Sequence, residues 1–251
     1  CRVETDQGTI GVDQVVLAVG PWIQRLWAML ELPERIDVRI GANDTRTVLM
    51  WTYWSLQEGT LKLDPGVQRT NAGDMPPVVH VDSDQPLYSA EDGSLITDRM
   101  WGIYYKPDFN FGGIQGGASP FPVDRPAAEV AVDPYGPASP DFIVGDAFAH
   151  MWTSALGFCQ RRFRGTLAHF SKEPSGGIGC FTPDNFPVFD RFFENCYMIA
   201  DSNHGYKMVG VGALVAEELL GSRSALLEPF RFDRYAKGEL HPSSNSPFPW
   251  S

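Results

Sequence analysis

The densest set of chemically capable residues is Asp201-Ser202-Asn203-His204-Gly205-Tyr206-Lys207-Met208-Val209-Gly210-Val211-Gly212. Met208 to Leu220 reads as a helix stopped by Gly221, and Lys207 sets a full positive charge just before it. Gly210, Gly212 and Ala213 leave the first turn bare, so a flat ligand can approach the backbone. The unpaired N–H groups and positive dipole end of a helix start favour an anion or an electron-rich carbonyl. Together they suit partial negative charge, such as a substrate carboxylate. The plainer reading is that the small residues permit tight helix–sheet packing and Lys207 is a solvated surface lysine. His204 taken alone reads more simply as a hydrogen-bonded loop residue than as a catalyst.

That loop needs elements to hold it. Cys196 to Ala200 is an apolar run, so strand, polar loop and helix follow in the order of an α/β unit, which binds ligands beyond the carboxyl end of its strand. A second apolar run, Val15 to Val19, ends at Gly20-Pro21; such a run is expected to be a parallel strand buried on both faces. Before it, Arg2 to Thr5 and Thr9 to Val12 form a hairpin about Asp6-Gln7-Gly8; after it, Trp22 to Leu30 reads as a short helix. The chain thus opens with Cys1, inside a hairpin, which we read as a truncated frame.

Residues 31–170 have another texture. Thr47 to Trp54, Pro77 to Val81 and Trp101 to Tyr105 are short strands between Gly, Pro and Asp clusters, the pattern of an antiparallel or mixed sheet. Pro120 to Pro140 reads as a long loop, and Asp146 to Leu156 and Phe158 to Phe170 as helices. The expected class is therefore mixed α/β: residues 1–30 and 171–251 form one α/β domain, with a β-rich domain, 31–170, inserted between them.

Composition narrows the function. A 43% hydrophobic chain of 251 residues can build one or two cores. Its net charge of -11 gives no attraction to phosphate backbones, so nucleic acid is not an expected partner. Cys1, Cys159, Cys180 and Cys196 show no CxxC pair and no metal-ligand spacing; free thiols in a reducing, cytoplasmic compartment are expected. The charged, strand-like start leads us to expect no signal peptide, and no run of ~18 apolar residues is present, so no membrane association is expected.

The His204-Gly205-Tyr206-Lys207 segment resembles the His-Gly-(Phe/Tyr)-Lys segment of the D-amino-acid oxidase superfamily, in its sarcosine oxidase and glycine oxidase branch. Three further segments are similar. Val15-Val16-Leu17-Ala18-Val19-Gly20-Pro21-Trp22 resembles the family strand that runs beneath FAD. Gly102-Ile103-Tyr104-Tyr105 with Phe111-Gly112-Gly113 resembles the substrate-domain strands over the flavin. Gly177 to Val188, with Thr182-Pro183-Asp184, resembles the segment near the flavin ring. The likeness runs from about residue 1 to 237 and ends in Leu227-Glu228-Pro229-Phe230 and Arg234-Tyr235.

The resemblance implies an FAD-dependent oxidoreductase that takes a hydride equivalent from the carbon bearing the amine of an amino acid or secondary amine. Lys207 would bind the substrate carboxylate, with His204 beside it. Ala18, Gly20, Trp22, Gly177, Thr182, His204, Gly205, Tyr206, Lys207 and Met208 would line the cofactor. Tyr104 or Tyr105 would line the substrate pocket; neighbours on a strand point to opposite faces, so one of the two must be core.

The sequence also departs from the family. The G-x-G-x-x-G fingerprint that cradles the dinucleotide is absent, and Gly112-Gly113-Ile114-Gln115-Gly116-Gly117 does not replace it, since it opens no helix. The N-terminal FAD-binding segment that carries the fingerprint is thus an expected partner. Gln115 falls where relatives carry a lysine tied to oxygen reactivity, and a neutral amide stabilises developing negative charge less. A dehydrogenase is therefore as open as an oxidase, with Lys106 near enough to compensate. Gly177 falls where some relatives attach FAD through Cys, and Cys180 reads as a buried packing residue, so non-covalent FAD is expected. Asp201-Ser202-Asn203 replaces a Gly/Ser-rich lead, and Asp201 would offset part of the Lys207 charge.

Two alternatives stay open. One is oxidation of a hydroxy acid or polyol phosphate, for which Arg161-Arg162-Phe163-Arg164 would be the anion cluster. The other is an inert, flavin-free fragment or scaffold subunit.

Overall fold

A computed structural model describes residues 1–118, 122–123, 144–173, 177–200 and 210–241. The chain opens with β1 (Arg2–Thr5), β2 (Gly8–Gly11), β3 (Val15–Leu17) and α1 (Ile23–Met29). Then come β4 (Arg35–Gly41), β5 (Asp44–Leu49), β6 (Thr52–Leu61), β7 (Val79–Ser83), β8 (Leu87–Tyr88) and β9 (Leu95–Thr97). β10 (Trp101–Asp108), β11 (Gly113–Ala118), β12 (Pro122–Val123), α2 (Asp146–Cys159) and β13 (Phe170–Ser171) follow. The chain closes with β14 (Gly177–Phe181), β15 (Val188–Phe193), β16 (Cys196–Ala200), α3 (Val211–Leu219) and α4 (Arg234–Lys237). The fold is mixed α/β with several sheets.

The largest sheet is organised by β6. It pairs antiparallel with β11 along one half and β14 along the other; β10 and β7 continue beyond β11. One face of this sheet is apolar. Ile103, Tyr105, Ile114 and Leu61 pack there against Phe148, Trp152, Ala155 and Leu156 of α2. The glycines of β11 permit this closeness: a Cβ on Gly116 would collide with the backbone of Tyr104 and Tyr105 and lie 2.9 Å from Trp152. The Gly-rich stretch is therefore a packed strand and opens no helix.

A second core lies where α1 meets β4, β6, β14 and β16. Trp27 and Trp51 meet edge to face at 5.5 Å, with Met50, Tyr53, Cys180 and Met198 around them. Cys180 is fully buried there, and none of the four cysteines, all among the described residues, is in a disulfide.

β3 pairs parallel with β16 in the three-stranded order β15-β16-β3, so the expected α/β unit is present. Its expected burial on both faces is not: Val16 is exposed and Val15 and Leu17 only half-buried, because β3 is an edge strand of this sheet. Three other expectations change. Thr47 to Trp54 is split between β5 and β6 at Met50-Trp51. Residues 158–170 form no helix beyond Cys159; two short 3-10 turns replace it, with Gly165 at φ +68, which a helix does not accept. Helix α3 begins at Val211, after a turn at Gly210, and stops before Gly221, at φ +98. The Pro-rich loop at 120–140 lies outside the described residues except at β12. Among the described residues no helix is long and apolar enough to cross a membrane.

Candidate functional site

Beyond the carboxyl end of β3 the chain turns sharply. Gly20 adopts φ +54, a left-handed conformation that costs a residue with a Cβ about 1 kcal/mol or more. Pro21 then starts a 3-10 turn that runs into α1. Ala18, Val19, Gly20, Trp22, Arg25, Leu26 and Met29 enclose an open hollow of about 630 Å³. Trp22 is 38% exposed and Met29 69%, so its wall is apolar and uncovered. Three residues expected to line the cofactor, Ala18, Gly20 and Trp22, are thus brought together. The one charged residue in its lining is Arg25.

Tyr53 fastens this turn. Its hydroxyl donates to the carbonyl of Pro21 at 2.5 Å, tying β6 to the rim of the hollow. Burial, with Cys180 alongside, pushes the Tyr53 hydroxyl well above the ordinary phenol range, so it stays a donor. Sequence reasoning passed over Tyr53, because the bond spans 32 residues.

The second candidate region is the face of the large sheet opposite α2. Cross-strand partners share a face, and the register stacks His80, Tyr104 and Gly117 with Glu58, and Lys106 and Gln115 with Thr60. This face is polar. Tyr104 donates through its hydroxyl to Glu58 Oε1 and stacks on His80 at 5.8 Å. Lys106 Nζ pairs with Asp108 Oδ2 at 3.0 Å. Gln115 sits beside Lys106 and is only 5% exposed. Burial drives the Glu58 carboxyl upward, more than the Tyr104 hydrogen bond and the Lys106 charge pull it down. Asp108 moves the other way: burial raises it, but the Phe111 N–H, Lys106 and the Asn110 N–H together lower it.

Tyr105 points the other way. It is 2% exposed in the apolar core, edge-on to Phe163, and its hydroxyl accepts from Gln160 Nε2 at 2.5 Å. Of the two neighbouring tyrosines, Tyr104 faces the polar side and Tyr105 is the core residue.

The Thr182-Pro183-Asp184 segment is a structural clamp. The Thr182 hydroxyl donates to the carbonyl of Phe186 at 2.7 Å and lies 3.2 Å from Asp184 Oδ1; the residue is 2% exposed, and its side chain closes the turn. Asp184 receives two 2.8 Å bonds from the buried guanidinium of Arg234, which also donates to Phe186 O and to the hydroxyl of Tyr235. Burial raises the Asp184 carboxyl, but the hydrogen bonds and charge of Arg234 outweigh it and hold it below the usual range. Gly177 opens β14 opposite Leu56.

His204, Gly205, Tyr206, Lys207 and Met208 lie outside the described residues, as does Asp201. The helix start that follows them is described. Gly210 and Gly212 are exposed, and a Cβ on either would meet nothing within 4 Å. Tight packing within the described residues therefore does not account for them. The arginine cluster is partly spent on backbone: Arg162 donates to the carbonyl of Val67, and Arg164 Nε to that of Gly157 at 3.4 Å. No group of described His, Cys, Asp and Glu residues is arranged to hold a metal ion.

No protein-family model and no curated protein matches the chain. Solved structures do. L-proline dehydrogenase from P. horikoshii superposes with a TM-score of 0.55 at 20% identity, covering 96% of this chain and 51% of that one. Glycine oxidase from Geobacillus kaustophilus gives 0.54 at 15%, covering 93% and 48%. A modified fructosyl peptide oxidase from Aspergillus nidulans gives 0.50 at 17%, covering 91% and 47%. At these identities the likeness is one of fold: this mixed α/β architecture matches those oxidases and that dehydrogenase. The chain spans about half the length of the structures it matches.

Proposed function

We propose that this chain is the substrate-facing half of an FAD-dependent oxidoreductase that oxidises the C–N bond of an amino acid or secondary amine. The observation that carries the reading is the hollow beyond parallel strand β3, where Ala18, Gly20 and Trp22 meet. Ligands of α/β units bind at that end of the sheet, and the proline dehydrogenase and glycine oxidase folds extend over nearly all of this chain. In this reading residues 1–30 and 171–251 belong to the FAD-binding domain and residues 31–170 form the substrate domain.

Non-covalent FAD, when bound, supplies the redox chemistry: the carbon bearing the amine gives up a hydride equivalent, and the resulting imine is hydrolysed. The chain's own residues bind and orient. Ala18, Gly20, Trp22 and Arg25 hold one side of the cofactor, and Tyr53 keeps their turn in place through Pro21. Lys207 takes the substrate carboxylate, with His204 to Met208 against the flavin. Tyr104 stands on the polar sheet face over the substrate. Gln115, a neutral amide beside an ion-paired Lys106, favours an electron acceptor other than oxygen. β3 is an edge strand of its sheet, and an FAD-binding segment carrying the phosphate cradle would pair along that open edge.

The direct test is the visible absorption spectrum of the purified chain after FAD is supplied. A bound flavin spectrum, bleached by L-proline or glycine, supports the reading. A folded, colourless protein that stays colourless when joined to an FAD-binding segment would sink it. In the flavin-loaded enzyme, Lys207→Ala is expected to raise KM for a carboxylate substrate by roughly tenfold or more, the scale of a lost charge-assisted hydrogen bond, at matched flavin occupancy. An unchanged KM removes Lys207 from the substrate site.

A further inference from the structure

We infer that Glu58, acting through Tyr104, sets this site's preference for a substrate that presents an N–H donor. The inference rests on the amine-substrate half of the proposed function and adds the residue pair that reads the amine. Three adjacent strands build the pair. Tyr104 on β10 and Glu58 on β6 flank Gly117 on β11 in one register row. A Cβ on Gly117 would lie 3.1 Å from both Glu58 Cγ and Tyr104 Cε1. The bare glycine therefore lets the two side chains meet across the strand between them, and the Tyr104 hydroxyl donates to Glu58 Oε1.

The consequence is one of hydrogen-bond counting. A phenol has one proton and two lone pairs. With its proton directed at Glu58, Tyr104 Oη can only accept from any further group. A substrate carboxylate gains nothing from that oxygen, whereas an amine or ammonium N–H does. The carboxylate behind it makes the oxygen a stronger acceptor, since hydrogen bonds in series polarise one another. The surroundings keep the pair oriented: His80 stacks on the Tyr104 ring, and Lys106 is held by Asp108 at 3.0 Å. Glu58 is a positioning residue here, and Tyr104 makes the contact.

The test uses matched probes, L-proline and cyclopentanecarboxylate, which share a ring and carboxylate and differ in the amine. With the chain selectively labelled at tyrosine and FAD supplied, both are titrated while the Tyr104 ring resonance, assigned with Tyr104→Phe, is followed. The expected result is that L-proline shifts this resonance and binds roughly tenfold or more tightly than its amine-free analogue, the scale of one charge-assisted hydrogen bond. Glu58→Leu is expected to bring the two affinities within about twofold. Glu58→Gln, whose amide oxygen still accepts the phenol proton, is expected to keep part of the preference; circular dichroism confirms that each variant is folded. Full preference retained in folded Glu58→Leu, or no response at Tyr104, overturns the inference and leaves the flavin reading standing. A Tyr104 response in a protein that takes no FAD does the reverse. Failure of both probes to bind removes the amine substrate and the inference together.

Discussion

Two carboxylates, the buried Asp184 and the half-buried Glu58, sit in the same molecule and have moved in opposite directions. Burial raises both. Asp184 meets a guanidinium in bidentate geometry, and the pairing outweighs the burial. Glu58 meets a phenol, and with only Lys106 at a distance to help, the burial outweighs the pairing. The difference lies in the partner's charge, since both carboxylates are hydrogen-bonded. A carboxylate matched to a buried cation is a finished structural joint. One matched to a neutral hydroxyl still has its charge to offer, which is the condition of a group that reads a ligand.

The largest expected effect cuts the finished joint. Arg234→Leu leaves Asp184 buried without its cation and strips donors from Phe186 O and Tyr235 as well. A loss of about 3–5 kcal/mol in unfolding free energy is expected, the scale for breaking one partner of a buried pair, read from denaturant melts. Replacing both partners, Asp184→Leu with Arg234→Leu, should cost less than Arg234→Leu alone. A double variant as damaged as the sum of the two single changes would show that the pair is not energetically coupled. Glu58→Leu should show no loss on that scale. If it does, the contrast between joint and reader is wrong.

A smaller effect is expected at Tyr53. Tyr53→Phe removes one hydrogen bond to Pro21 O and keeps the ring in its core, so the fold should lose about 1 kcal/mol. The released turn lines the hollow, so FAD affinity, measured by absorbance or fluorescence titration, should fall by more than that stability loss explains. Equal FAD affinity in Tyr53→Phe would take the Gly20 turn out of the cofactor site.

What the sequence disclosed follows the range of the signal. Hairpin β1–β2, parallel strands β3 and β16 and helix α2 were legible because turn residues and hydrophobic runs are local. So was the lodging of Ala18, Gly20 and Trp22 beside one another, which a tight turn guarantees. The exposure of β3 was not, since an apolar run states what a strand needs and not what lies beside it. Phe158 to Phe170 read as helix from its apolar residues, but the left-handed Gly165 and the short turns around it prevailed. Glu58 carried no signal: it becomes Tyr104's partner only through the order β6-β11-β10 and the bare Gly117 between them. Arg234 lay in a segment already noted for its resemblance, yet its partner stands 50 residues away. Tyr104 and Tyr105 were known to face opposite ways; only the packing of α2 says which one is inside.

The subtlest effect separates the two carboxylates by pH. Asp184 has a native value below its unfolded one, near 3.8, so the stability it contributes is present above that pH and lost as pH falls through the native value. Asp184→Asn should therefore be destabilised at neutral pH, with the gap to the parent protein narrowing in acid. Glu58 has a native value raised above its unfolded one, near 4.5. Its favourable contribution is complete below that value and is lost as pH rises through the native one, because folding then holds a charge the site disfavours. Glu58→Gln should therefore match the parent in acid and become the more stable of the two towards neutral pH. Chemical denaturation of both variants and the parent across pH 3 to 8 reads the two slopes directly. Opposite signs uphold the distinction between a paired and an unneutralised carboxylate. If Glu58→Gln, like Asp184→Asn, were less stable than the parent at neutral pH and approached it in acid, Glu58 would have a cationic partner after all, and its role as the group behind Tyr104's acceptor would pass to that partner.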